Sequence, residues 1–227
     1  MKSNHSLLAL TALELLVVVS LVAIVIALLI PGLTNVRNVT QSVTCVNNLR
    51  QLHVAAASYS QERNGALPRF DVYYLDIRDY VTPNVQYAHE ECPPTIATCP
   101  TQFAQKASWC IIAHTYAMNY LTGDRGSYKD GPPSWNSITN LSKCAHFMDG
   151  FSLSDVPQAG IRYWYAAFAF PPPLPGNNNV TNIKFPHKKK NHVVYMDGHV
   201  SPLSQSDLEE ITNPATPRYS EFWGKYK

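Results

Sequence analysis

His187, Asp197 and His199, near the C terminus, are the residues whose types best suit a divalent metal ion. Imidazole nitrogens and a carboxylate oxygen are ordinary metal donors, and these three can meet if the chain doubles back between positions 187 and 197. The competing reading is structural, with Asp197 shaping a turn and the histidines hydrogen-bonding inside a hairpin. Five cysteines, Cys45, Cys92, Cys99, Cys110 and Cys144, are the other reactive groups. Cys92 with Cys99 and Cys110 with Cys144 are candidate disulfides, although four cysteines allow three pairings. Cys45 reads either as a small apolar residue or as half of a bridge between elements. Zinc held by cysteines is a weaker reading, because no close Cys-x-x-Cys pair is present. The chain has no Gly-x-Ser-x-Gly elbow, phosphate-cradling glycine loop or His-Glu-x-x-His helix, so no enzymatic activity is expected.

The element that dominates the chain is an apolar run from Leu7 to Ile30, interrupted by one carboxylate, Glu14. About 20 such residues span the roughly 30 Å of bilayer hydrocarbon. A helix in a soluble core would carry a polar face, and Leu15–Ile30 carries only Ser20. A cleaved secretory signal would be shorter and would end at a small-residue site. Here Ile30-Pro31-Gly32 passes directly into Val36, Val39, Val43, Val46, Leu49, Leu52, Ala56 and Tyr59, spaced as one helical stripe. Asn35, Arg37, Gln41, Asn48 and Arg50 fall on the other face. Pro31 is expected to kink or loosen the helix, and Asn64-Gly65 to stop it. From Leu10 to Glu62 such a helix is about 80 Å long at 1.5 Å per residue.

The remainder is enough for one medium domain. With 18 Lys+Arg against 16 Asp+Glu, no nucleic-acid partner is expected. The 17 prolines and 13 tyrosines suit a loop-rich domain, and the cysteines an oxidising compartment. Positions 71–75 and 77–81 read as short elements, with helix favoured. Positions 115–121 read as a strand or turn and 144–149 and 162–170 as strands, while 123–136 and 171–179 read as loops. Val193–Met196, Asp197-Gly198 and His199-Val200 read as strand, two-residue turn and strand. Lys188-Lys189-Lys190 is read as a solvated approach to that hairpin. The expected class is α+β: a long N-terminal transmembrane α-helix (10–64) followed by a small loop-rich antiparallel β-sheet domain (65–227).

Ala9-Leu10-Thr11-Ala12-Leu13-Glu14-Leu15-Leu16-Val17-Val18 resembles the N terminus of type IV prepilins and type II secretion pseudopilins. Cys45-Val46-Asn47-Asn48-Leu49-Arg50-Gln51-Leu52 is similar to a segment of a large pseudopilin-like bacterial family. The stretch from His187 to Asp197-Gly198 resembles the H-X9-DG element of prepilin-type processing-associated proteins. The resemblance covers Ala9 to about Leu67 and His187 to Leu203. It implies a leader over 1–9, removed by a prepilin peptidase between Ala9 and Leu10, with methylation of the new terminus. It also implies that Glu14 meets a neighbouring subunit's amine during assembly. The implied protein is a subunit of a type IV pilus or pseudopilus. It would be anchored in the bacterial inner membrane by one helix, with its bulk periplasmic or extracellular. Its partners would be copies of itself or related subunits. No cofactor is required, although related pseudopilins can hold calcium in C-terminal loops, and Asp197 is the nearest candidate. The alternative is an uncleaved, signal-anchored periplasmic binding or metal-dependent domain.

Overall fold

A segment apolar all round, joined to one that is apolar on a single face, forms one helix in two different surroundings. In the computed structural model, which describes residues 11–69, 73–81, 96, 99–103, 115–123, 134–150, 168–169 and 185–224, this helix is α1, Ala12–Glu62. It continues through Pro31-Gly32 without interruption. The chain divides inside α1 into two compact units, residues 1–40 and 41–227. In the first unit the apolar side chains are exposed, Leu28 at 74% and Ile24 at 58% among them. In the second, α1 buries Cys45, Leu49, Leu52 and Ala56 completely, with Asn48 and His53 beside them. The expected stripe is therefore corrected at one end: Val36, Val39 and Val43 are exposed, and Asn48 belongs to the buried face.

Both ends of α1 are built by local chemistry. Thr11 and Glu14 form a capping box, in which the Thr11 amide and hydroxyl each donate to the Glu14 carboxylate at 2.9 Å. The Glu14 amide in turn donates to Thr11 Oγ1 at 3.3 Å, which satisfies amides that a helix start leaves without partners. At the other end Asn64 and Gly65 take positive φ, and the Gly65 amide reaches back five residues to the Ser60 carbonyl at 2.8 Å. That is the helix stop read from the sequence.

The second unit is built around a sheet of five strands: β1 (Tyr116–Asn119), β2 (Ala145–Asp149), β3 (Phe168–Ala169), β4 (Lys190–Tyr195) and β5 (Val200–Ser204). Their order is β3-β1-β2-β4-β5. Four strands are antiparallel, as expected, while the short β3 pairs parallel with β1 and departs from a purely antiparallel sheet. Both faces are covered. Tyr116, Met118, Phe147 and Val194 pack with α1 and with α2 (Tyr73–Val81). Ala117, Ala145, Met148, Val193 and Leu203 pack with Ile211 of α4 (Asp207–Thr212) and Phe222 and Trp223 of α5 (Pro217–Trp223). A register shift between Ala145 and Phe147 lets Ala145 and Met148 share that second face. Covering both faces removes the polar–apolar alternation that marks a half-exposed strand.

The 193–200 hairpin is present, but its turn differs from the expected two-residue form. The Tyr195 amide donates to the His199 carbonyl at 2.9 Å, and within the loop Gly198 alone takes positive φ, at 88°. The loop is thus three residues, Met196-Asp197-Gly198, with glycine in the left-handed position. The two-residue tight turn lies earlier: His187 and Lys190 are bridged, and Lys188 and Lys189 between them both have positive φ, 50° and 63°. All three lysines, 188 to 190, are exposed, as expected of a solvated approach.

Candidate metal centre

Four side chains from well-separated parts of the chain converge on one buried spot. Cys45 is fixed by the buried face of α1, and Cys99 stands immediately before the single-turn helix α3 (Pro100–Phe103). Asp149 is the last residue of β2, and His187 enters through the Lys188-Lys189 turn. The strand end is tightly constrained: a Cβ on Gly150 would fall 2.2 Å from the Ala117 Cβ. One donor atom from each of the four residues lies within 4.8 Å of the other three, and all four residues are buried.

The contacts are specific. Cys45 Sγ and Cys99 Sγ are 2.9 Å apart, about 0.9 Å longer than a disulfide bond. His187 Nε2 lies 3.3 Å from Cys99 Sγ and 3.6 Å from Asp149 Oδ2. The His192 amide donates to Asp149 Oδ2 at 2.8 Å, and His192 Nδ1 stands 3.3 Å from the same oxygen, off hydrogen-bond alignment. Among the described residues Asp149 Oδ1 has no hydrogen-bond partner. Burial works against charge on Asp149 and on His187, yet the pair overrides it. The histidines hold the Asp149 carboxyl below its ordinary range, and Asp149 pushes His187 up to about 9. The adjoining Cys99 thiol and burial both raise Cys45. The Cys45 thiol thus stays protonated beside a charged imidazole–carboxylate pair.

The structure redistributes the residues singled out in the sequence. His187 joins the cysteines, whereas Asp197 and His199 pair with each other across the hairpin loop at 2.6 Å. His199 also stacks flat on Tyr195 and lines an open cleft with Arg218 and Glu221, so the expected His187–Asp197–His199 grouping is not formed. The physical reason is the tight turn after His187, which brings that ring to Asp149 at the end of β2. Cys99 faces Cys45, and Cys144 is a buried thiol whose pKa burial pushes up to about 12. Cys92 and Cys110, like Ala9 and Leu10, lie outside the described residues. Cys45 and Asp149 were missed as donors. Only a carboxylate closing a mostly apolar, buried strand hinted at the latter.

Two more histidines form a separate buried pair. His53 and His146 place their Nδ1 atoms 3.1 Å apart, with Trp135 edge-on to His146. Burial depresses both, His146 well below the ordinary histidine value, so the pair is neutral near pH 7.

No protein-family model, curated protein or solved structure matches the chain.

Proposed function

We propose that the chain is a structural, non-enzymatic filament subunit of the pilin or pseudopilin kind, cut between Ala9 and Leu10 and assembled through α1. The observation that carries this reading is the division of labour within α1. One uninterrupted helix has an apolar, exposed first part and a second part with one face built into a sheet domain. By length and composition the first part could span a membrane. Exposed apolar surface on that scale needs lipid or other helices around it. Copies of the same helix would supply those helices, and an isolated Glu14 in such a bundle would need an opposite charge, which a neighbour's amine provides. In the single chain that carboxylate is engaged with Thr11.

The buried cysteine–histidine–aspartate group favours a second reading, an uncleaved anchored metalloprotein. Its donors are closed off from solvent, which suits a structural centre better than a reactive one. Terminal sequencing of the membrane-extracted protein separates the two. A methylated Leu10 terminus is expected, and an intact Met1 would overturn the filament reading. Glu14→Ala should leave membrane insertion unchanged and abolish filaments in electron micrographs.

A further inference from the structure

We propose that Cys45, Cys99, Asp149 and His187 bind one zinc ion, which fastens the second half of α1 to the sheet and to the segment at Cys99. The donor set points to that metal. Two sulfurs, one imidazole and one carboxylate suit tetrahedral zinc, whereas calcium and magnesium require oxygen cages that this group does not offer. The spacing points the same way. Bond lengths of about 2.0–2.3 Å at tetrahedral angles place donor atoms about 3.4–3.8 Å apart. The His187–Cys99 and His187–Asp149 separations, 3.3 and 3.6 Å, are already near those values. The sulfur pair, at 2.9 Å, must open by about 0.9 Å, within reach of a small side-chain rotation.

The surroundings are arranged as supports for a ligated ring. His187 presents Nε2 to the sulfur and the carboxylate, while its Nδ1 is 3.5 Å from Thr101 Oγ1. The Thr101 hydroxyl in turn donates towards Gln41 Oε1 at 3.4 Å. An outer partner on Nδ1 selects the tautomer whose Nε2 lone pair faces inward. A buried carboxylate oxygen without a partner, at Asp149 Oδ1, is costly unless something is meant to meet it. A disulfide between Cys45 and Cys99 would account for the two sulfurs alone and would leave Asp149 Oδ1 unmet among the described residues. On binding, each of the two thiols and the His187 ring gives a proton to solvent, and the ring ligates in its neutral form, so no electrons change hands. Because the four donors belong to α1, the Cys99 segment, β2 and the turn before β4, the ion would act as a cross-link within the second unit. The assignment stands apart from the filament reading, and Glu14 variants should not disturb it.

The test uses the full chain, purified in detergent with a non-chelating phosphine reductant. Elemental analysis should find one zinc per chain. Cobalt(II) added to the stripped protein should give tetrahedral bands and a thiolate-to-cobalt charge-transfer band. Cys45→Ser, Cys99→Ser and His187→Ala should each weaken metal binding more than ~10-fold, and Cys144→Ser should leave it intact. Stripping the ion should lower Tm by about 10 °C, reversed by added zinc. If a variant does not fold, cobalt titration of the reduced wild-type chain decides alone. The proposal is overturned by a Cys45–Cys99 disulfide in peptide mapping of the native chain without bound metal. A reduced wild-type chain that takes up neither zinc nor cobalt overturns it equally.

Discussion

A buried histidine that cannot accept a proton makes the native state sensitive to acid, and His146 is such a residue. Its folded pKa lies well below the unfolded value of about 6.5, so between those two values the unfolded chain binds the extra proton and stability falls as pH falls. Stability should therefore fall as pH is lowered from 7 towards 5. Urea midpoints for wild type and His146→Phe should show it, with the variant losing that share of the slope; parallel slopes would refute the assignment. Lys188 and Lys189 carry a different penalty, since both sit at positive φ where glycine or asparagine is preferred. Lys188→Asn with Lys189→Gly should therefore stabilise by about 0.5–1 kcal/mol, read from the same midpoints. Neither effect was legible in the sequence. His146 sits in an ordinary strand pattern, and Lys-Lys is read as a solvated pair rather than as a tight turn.

At the level of elements, the parts governed by local rules were legible and the parts governed by packing were not. Asn64-Gly65 after the last helical turn predicted the stop because that signal depends on adjacent residues, whereas the Thr11–Glu14 capping box, equally local, was hidden by the reading of Glu14 as an assembly carboxylate alone. Strands β1, β2 and β4 were legible from their aromatic and β-branched content, and the helix at 73–81 from its composition. The buried face of α1 was legible only in part: Leu49, Leu52 and Ala56 fell in the expected stripe, whereas Asn48 and His53 are buried by what packs on them rather than by their polarity. The candidate metal centre was hidden for a similar reason. Only His187 was named as a ligand there, while Cys45 and Asp149 reach it from elements 104 residues apart (149 − 45). Strand β2 also provides a packing test. Gly150 has no room for a methyl group against Ala117, so Gly150→Ala should cost about 2–3 kcal/mol in chemical denaturation, and a near-neutral result would show that β1 yields there.

For the molecule as a whole, one detail of the sheet bears on what the protein must avoid. β5 is an edge strand, and Pro202 faces His192 across the ladder. With Tyr195–His199 a hydrogen-bonded pair, alternation along the hairpin makes His192–Pro202 a non-bonded pair, so position 202 directs its backbone nitrogen away from β4. Proline at that point removes the donor that an incoming strand would need. Pro202→Thr should leave the fold intact and raise light scattering of concentrated protein; unchanged scattering would mean that α4 or the local twist already guards the edge. Crowding subunits along a filament would raise the local concentration of these sheet edges enormously. In such a filament, an edge that cannot be extended would keep that crowding from turning into amyloid-like stacking and would leave helix-to-helix contact as the route by which copies meet.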